Sequence, residues 1–551
     1  MGNKINVHIN GLPSLSFAAG TPLYEIKDDY KKITGKSVIG VKINNLVVDL
    51  NTRLYEDSKI TFFDYTDPVG NKMYQAGLKF VLIIAVKSLW KKEVSFKYSL
   101  DKGIYARVDK KLSDDDILLI KTKMQEIIDY DYPIKKCITK REDAITYYLS
   151  TEEDEKGENI HNIPNRYVEL FEINHSYNFF YSPMPYNTGE LSLFDTKRLD
   201  TNSIVLLYPR YDTSGELPKW EYNEKIYAEL LKYNRWSVTS NACYVRDLNR
   251  VIAGGGIQKF ISMNDIFLDE SLYSIAKDIV KKKKDIKLIL LGGPSSSGKT
   301  TSTHKLCTYL ETFGINPIMI SADDYFKERV DNPKDADGKY DFDTIEAMDL
   351  ELFNDHLKRL LKGEEVVVPK FNFVTGIKEY VRDPIQLKEN DVLLIEGIHC
   401  LNDRFTKSIK RESKYKVLIC PFTPLALDRH NHLSTTDMRL IRRIVRDNRM
   451  RGKTVEVALE EWKNVRRGEE NYIFPYTLDI DAVLNTAHAY EMGVLRVFAE
   501  PLLYSVQTNS IYYEEARRLL GLLRMFYPIS SEYIKDDNVL REFIGGSIYE
   551  K

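Results

Sequence analysis

The sequence predicts a multidomain protein with a small β-rich module, an α+β domain and an α/β domain built on a parallel sheet. Three observations carry that expectation. A chain of 551 residues is too long for one hydrophobic core, because single cores stop growing at about 250–300 residues. The N-terminal stretch alternates apolar and polar residues in short runs broken by Gly11, Pro13 and Gly20, as half-buried strands do. Near the middle, an apolar run enters a glycine-rich loop that opens a helix, and later apolar runs end on acidic residues, as in an alternating α/β sheet.

Taken in order, residues 1–68 form the β-rich module, with strands at residues 5–9 and 38–43. One helix crosses it, with Thr21 placed as N-cap and Pro22 at the first helical position, ahead of Leu23, Ile26 and Tyr30. Residues 69–218 combine an apolar helix at 80–90, a charged helix at 113–128 behind the cap Ser113-Asp114-Asp115-Asp116, and aromatic segments such as 177–186. Residues 219–284 read as a helical linker, broken at Gly254-Gly255-Gly256 and ending in the run Lys281 to Lys284, read as a solvated helix end in preference to a nucleic-acid patch. Residues 285–500 hold the α/β domain. Residues 501–551 read as a helical tail whose packing face carries Ile511, Ala516, Leu519, Leu520 and Leu523.

Composition excludes several classes. Hydrophobic residues make up 43% and charged residues 29%, the mix of a folded globular chain rather than a disordered or fibrous one. Lys plus Arg number 79 against 81 Asp plus Glu, so a net charge of -2 gives no global attraction to nucleic acid or membrane, and any anion site must be local. The cysteines, Cys137, Cys243, Cys307, Cys400 and Cys420, are never spaced C-x-x-C, so neither a disulfide framework nor a zinc site is indicated and a reducing cytoplasm is expected. The most apolar run, residues 80–86, falls far short of the ~18–20 residues that cross a bilayer, so no membrane association is expected.

The strongest chemical signal is Gly292-Gly293-Pro294-Ser295-Ser296-Ser297-Gly298-Lys299-Thr300-Thr301, entered from the apolar run at 286–291. A G-x-x-x-x-G-K-T loop between strand and helix binds a nucleoside triphosphate. Gly293 and Gly298 let backbone N–H groups, with those of Ser295, Ser296, Ser297 and Thr301, converge on phosphate oxygens. Lys299 reaches the β- and γ-phosphates, and Thr300 offers its hydroxyl to Mg²⁺. ATP and Mg²⁺ are therefore the expected cofactors.

Two acidic positions follow. The helix after the loop ends at Gly314, and the next strand, residues 317–321, stops at Asp323-Asp324. That is the edge of an α/β sheet where ligands bind, so either carboxylate can take a proton from a substrate hydroxyl and touch the Mg²⁺ shell; the alternative is helix capping. A third strand, residues 391–395, is followed by Glu396, placed to order the metal's waters. Between Thr435 and Lys453, Arg439, Arg442, Arg443 and Arg446 fall on one helix face, followed by Arg449 and Arg451. Such a face needs anionic partners, and a lid closing over triphosphate is the reading preferred to a salt-bridged surface or an RNA-binding stripe.

These motifs carry three resemblances. Gly20-Thr21-Pro22, the strand at 38–43 and the segment Ile60-Thr61-Phe62-Phe63 resemble the β-grasp-like TGS module of threonyl-tRNA synthetases and some GTPases. Residues 69–218 are similar to the second domain of threonyl- and alanyl-tRNA synthetases, with Phe180 at its Cys position and Met184 at its His position, so its editing chemistry is expected to be absent. Residues 286–485 resemble uridine/cytidine kinases of the phosphoribulokinase/uridine kinase family through the loop, Ala322-Asp323-Asp324-Tyr325-Phe326, Tyr340-Asp341-Phe342-Asp343, Pro369-Lys370-Phe371-Asn372-Phe373, Glu396-Gly397 and Arg442-Arg443 to Asp447.

The kinase resemblance implies roles. Asp323 is the base for a ribose 5′-hydroxyl, Asp343 holds ribose hydroxyls, and Phe371 and Phe373 lie at the base pocket. Arg443, Arg446 and Arg451 contact substrate or ATP phosphates, with Arg443 and Lys299 acting in catalysis and Thr300, Asp323 and Glu396 serving Mg²⁺. The sequence departs from the family at the base reader: Phe371 replaces a tyrosine, Gly376 a histidine, Lys453 an arginine and Glu461 a glutamine. The sequence is therefore compatible with three functions: a nucleoside kinase, which is the expected one, a kinase of another small alcohol, and an ATP-switched regulator that meets RNA or the ribosome through the front half. Oligomeric state stays open.

Overall fold

The computed structural model describes residues 4–100, 102–210, 215–335, 338–423 and 425–550. In the N-terminal module, strand Lys4–Ile9 alternates exposed and buried residues along its whole length, and it lies inside a five-stranded sheet between Leu15–Ala18 and Ser58–Phe63. Helix Leu23–Thr34 packs on that sheet through Leu23, Ile26 and Tyr30. The helix begins later than its sequence signal suggests. Thr21 and Pro22 pair with Leu54 and Arg53, which holds them extended, so Pro22 takes the N-cap position and the Thr21 hydroxyl donates to the Ala18 carbonyl instead of capping.

The second unit is organised by helix Pro68–Trp90, more than twice the length expected from its apolar run. Asp67 caps it, accepting from the N–H groups of Val69 and Gly70, with Pro68 at the first position. Its 23 residues could span a bilayer by length and composition, yet Tyr74, Leu78, Phe80, Val81 and Leu82 are buried in a protein core. Helix Asp114–Asp129 starts where predicted, with Ser113 and Asp116 forming a reciprocal capping box. Ser113→Ala is expected to cost about 1 kcal/mol, read as a lowered unfolding midpoint. Phe180 and Met184 are buried in the same core.

The stretch read as a linker is helical, in segments Glu224–Thr239, Val245–Ala253 and Ile257–Lys281. Leu272, Ile275, Ala276 and Ile279 of the last join the core that also holds Leu306 and Leu310, so this helix is a packed layer of the α/β unit.

That unit is a five-stranded sheet in the order Asn316–Ser321, Asp391–Gly397, Leu288–Gly292, Lys414–Cys420, Ala482–Asn485, with every pairing parallel. Strands Leu288–Gly292 and Lys414–Cys420 are buried at every residue, as expected of strands covered on both faces. The central strand points its C-terminal end at the phosphate loop. Register then brings Ser321 and Glu396 side by side and pairs Leu291 with Glu396, so the acidic strand ends meet at one edge.

Candidate active site

The loop between strand Leu288–Gly292 and helix Lys299–Thr312 has the shape its glycines imply. A Cβ on Gly293 would stand 2.0 Å from the Ile419 carbonyl oxygen of the neighbouring strand, so only glycine lets the loop run that close to the sheet. Gly298 (φ +83°) and Ser296 (φ +58°) lie in the left-handed region, which turns successive N–H groups inward. The Lys299 ammonium donates to the carbonyls of Gly293 and Pro294 at 3.2 and 3.1 Å and so lies across the loop. Thr300 is exposed at the helix start.

The carboxylates converge from the other strands. Burial pushes the Asp323 carboxyl above its usual range; Lys299 opposes the rise and Asp324 adds to it. Burial likewise raises Glu396 to about 7, with Asp323 adding to the shift and Lys299 opposing it, while the Ser321 hydroxyl donates to Glu396 at 3.0 Å. Asp324 faces elsewhere. It accepts from the Phe371 N–H at 3.2 Å and from Arg382 at 2.6 Å, tying strand Lys370–Asn372 to the sheet edge. Of the adjacent aspartates, Asp323 is thus the one beside the phosphate loop.

Burial raises the Asp343 carboxyl to about 7 against the pull of Arg443. Phe371 is buried, with its ring 5.7 Å from Phe326 and 5.1 Å from Phe373, whereas Phe373 is exposed. Only Phe373 of the pair therefore offers an open ring face.

The arginine helix, Thr435–Arg451, differs most from its sequence reading. Arg439 and Arg442 are fully buried and face carboxylates of the fold, Glu469 and Glu491. Arg439 Nη2 donates to Glu469 at 2.8 Å and Nη1 to the Ser295 carbonyl at 3.1 Å. Arg442 grips both oxygens of Glu491 at 2.9 and 2.6 Å and donates to the Ser296 carbonyl at 3.3 Å. The helix is therefore a core brace behind the loop and not a closing lid. A lid would leave these side chains in solvent; here burial demands paired partners.

The other arginines stay at the site. Arg443 Nη1 donates to the Ser295 hydroxyl at 3.3 Å and Nη2 to Glu461 at 2.8 Å. Arg443, Arg446 and Arg451 surround the buried Asp447 at 3.3, 2.8 and 3.4 Å, which fixes three guanidinium groups together, and Arg446 and Arg451 act on the Asp323 charge.

Residues 288–491 match the model of the Phosphoribulokinase / Uridine kinase family. A uridine kinase of Anoxybacillus flavithermus is 28% identical over 191 residues, 34% of this chain and 80% of that one. Residues 288–491 form a phosphoribulokinase/uridine kinase family domain. The front half matches a different protein, the threonine–tRNA ligase of Caldanaerobacter subterraneus, at 28% identity over 170 residues, 30% of this chain but only 26% of that ligase. Among solved structures, a D-glycerate 3-kinase from Cryptococcus neoformans aligns over 47% of this chain and 87% of its own, at 12% identity and a TM-score of 0.23.

Membership of residues 288–491 in the kinase family supports ATP-dependent phosphotransfer, and the loop fits that substrate: Gly293 and Gly298 shape the turn, and the hydroxyls of Ser296 and Ser297 are buried with no protein partner among the described residues. Thr300, Asp323 and Glu396 would hold Mg²⁺, a hard cation that takes one or two carboxylates and completes its shell with phosphate oxygens and water.

The kinase-family domain also contains site residues that sequence reasoning missed. Glu469 accepts from the Ser295 N–H at 3.2 Å, and the Thr486 hydroxyl donates to the Ser297 carbonyl. Thr486 follows a strand end, a signal that could have marked it; nothing local marks Glu469. The tail is the other correction. Ile511 is exposed, and the chain beyond it returns to the loop, with Val539 2.4 Å from where a Cβ on Gly298 would stand.

Proposed function

We propose that the kinase-family domain transfers the γ-phosphoryl group of ATP to the 5′-hydroxyl of a nucleoside. The observation that carries this reading is the position of Asp323, at a strand end beside Lys299 and Glu396 and next to the phosphate loop. Asp323 accepts the acceptor hydroxyl's proton as that oxygen attacks phosphorus. Lys299, Arg443 and Arg446 neutralise charge that develops on the transferring oxygens, preorganised by the Gly293 and Pro294 carbonyls and by Asp447. Asp343 holds acceptor hydroxyls, and Phe373 offers a face on which a base can stack. Bound Mg²⁺ would supply further charge neutralisation.

One observation favours a second reading, another small alcohol as acceptor. Gly376 (φ +75°) stands where the kinase family carries a base-reading histidine, and a Cβ there would meet Arg329 Cβ at 2.6 Å. The Arg329 guanidinium donates to the Phe373 carbonyl at 2.6 Å, closing the place a reader would use. ADP release measured over nucleosides and small polyols decides between them. Stimulation by a nucleoside supports the first reading, and stimulation by a non-nucleoside alcohol alone selects the second.

The raised carboxyls set a pH dependence. Glu396, held at about 7, is protonated below that pH and must be ionised to orient a cation. The value of kcat/KM is therefore expected to climb about tenfold per pH unit below neutrality and level off above it. Asp323 and Asp343 are raised as well and add to the same limb, and a flat wild-type profile across the acid range argues against the assignment.

A further inference from the structure

The phosphate loop meets a carboxylate from the far end of the chain. Val539, Leu540 and Phe543 are fully buried, and Asn538 donates to Asp265 and Tyr490 at 2.8 and 3.0 Å. Asp537 pairs at 3.0 Å with Lys305 of the loop's own helix, Arg449 donates to the Phe543 carbonyl at 3.3 Å, and the Arg442 guanidinium lies 4.9 Å over the Phe543 ring. With Val539 against Gly298, this segment is locked onto the loop.

Held there, Glu542 Oε2 accepts from the Thr301 hydroxyl at 3.3 Å and lies 3.5 Å from the Thr301 N–H. Thr301 is the third residue of helix Lys299–Thr312, so its N–H has no carbonyl partner within the helix and points at whatever anion sits in the loop. Glu542 also helps raise the carboxyl of Glu396, which places its charge within reach of the metal side of the site. Glu469 on the Ser295 N–H and Glu542 on Thr301 thus engage donors at both ends of the phosphate loop.

We propose that Glu542 is a built-in competitor of ATP, a carboxylate that holds the Thr301 donors until a nucleotide phosphate displaces it. The proposal rests on the reading of this loop as the ATP site. Two anions cannot share the same donors at contact distance, because their repulsion is only weakly screened in a partly enclosed pocket. The backbone of the segment is fixed by Val539, Leu540 and Phe543, so the movement required is a rotation of the Glu542 side chain rather than release of the tail. The C-terminal segment thereby sets how much ATP the enzyme needs.

The test is equilibrium binding of Mg²⁺·ATP to the full chain, in wild type, Glu542→Gln, Glu542→Ala, Lys299→Ala and Glu550→Gln. Glu542→Gln keeps the shape and removes the charge, and it is expected to tighten the Kd about tenfold. Glu542→Ala should do the same, while Glu550→Gln, a charge change on the same segment outside the loop, should leave the Kd unchanged. Wild-type binding that is lost in Lys299→Ala but equal in both Glu542 variants overturns the competitor and leaves the ATP site standing. Failure of both wild type and Glu542→Gln to bind ATP overturns the reading of the loop itself.

Discussion

Asp323→Asn is expected to lower kcat by about a thousandfold, in the range that loss of a general base produces, while the fold survives. Asparagine matches the shape of the side chain, and removing a charge from a site that burial already penalises imposes no cost on folding. Asp324→Asn provides the contrast. Its carboxylate binds Arg382 and the Phe371 N–H, so its loss loosens strand Lys370–Asn372 and should raise the acceptor KM more than it lowers kcat. Steady-state kinetics on the two variants separates the roles, and an Asp323→Asn enzyme within tenfold of wild type would remove Asp323 as the base.

Arg442→Ala is expected to destabilise the kinase-family domain by about 3–5 kcal/mol, because Glu491 is left buried and unpaired. The same change frees the Thr486 and Ser296 carbonyls from the guanidinium, so the rear wall of the phosphate loop loosens as well. Urea unfolding followed by tryptophan fluorescence measures the loss. Replacing both partners with methionine should recover most of it, since a well-packed apolar pair replaces two desolvated charges. A lid arginine would behave in the opposite way, with stability unchanged and turnover lost.

Much of the site was legible because it is local. Strand, loop and helix are contiguous from Leu288 to Thr312, so the loop's geometry follows from its own glycines and the elements on either side. Strand ends at Ser321 and Gly397 could likewise be placed at one edge, because parallel strands in an α/β sheet share their direction. The arginine spacing was legible too, but its meaning was not. A lid and a brace give the same i, i+3, i+4, i+7 pattern, and only the partners distinguish them. Those partners, Glu469 and Glu491, lie 30 and 49 residues along the chain from Arg439 and Arg442.

The start of helix Pro68–Trp90 illustrates a different loss. Asp67 and Pro68 form a proper cap, yet the first turns carry Asn71, Lys72 and Gln75, and polar residues hid a helix that a neighbouring surface buries. Phe371 shows a similar effect: its ring belongs to the Phe326 cluster and is buried there, while its neighbour Phe373 is exposed.

By itself, the sequence determined that this chain carries a phosphate loop with an acidic strand edge beside it, and that its front half is similar to a threonine–tRNA ligase. Those properties reside in residues next to one another, where backbone geometry leaves few choices. The tertiary structure alone decided which arginines pair with Glu469 and Glu491 and which gather around Asp447, which aspartate faces Lys299, and that Glu542 meets Thr301 from 241 residues away. A charge buried in a folded core must be paired, and the topology of the sheet, rather than proximity in the chain, selects the partner.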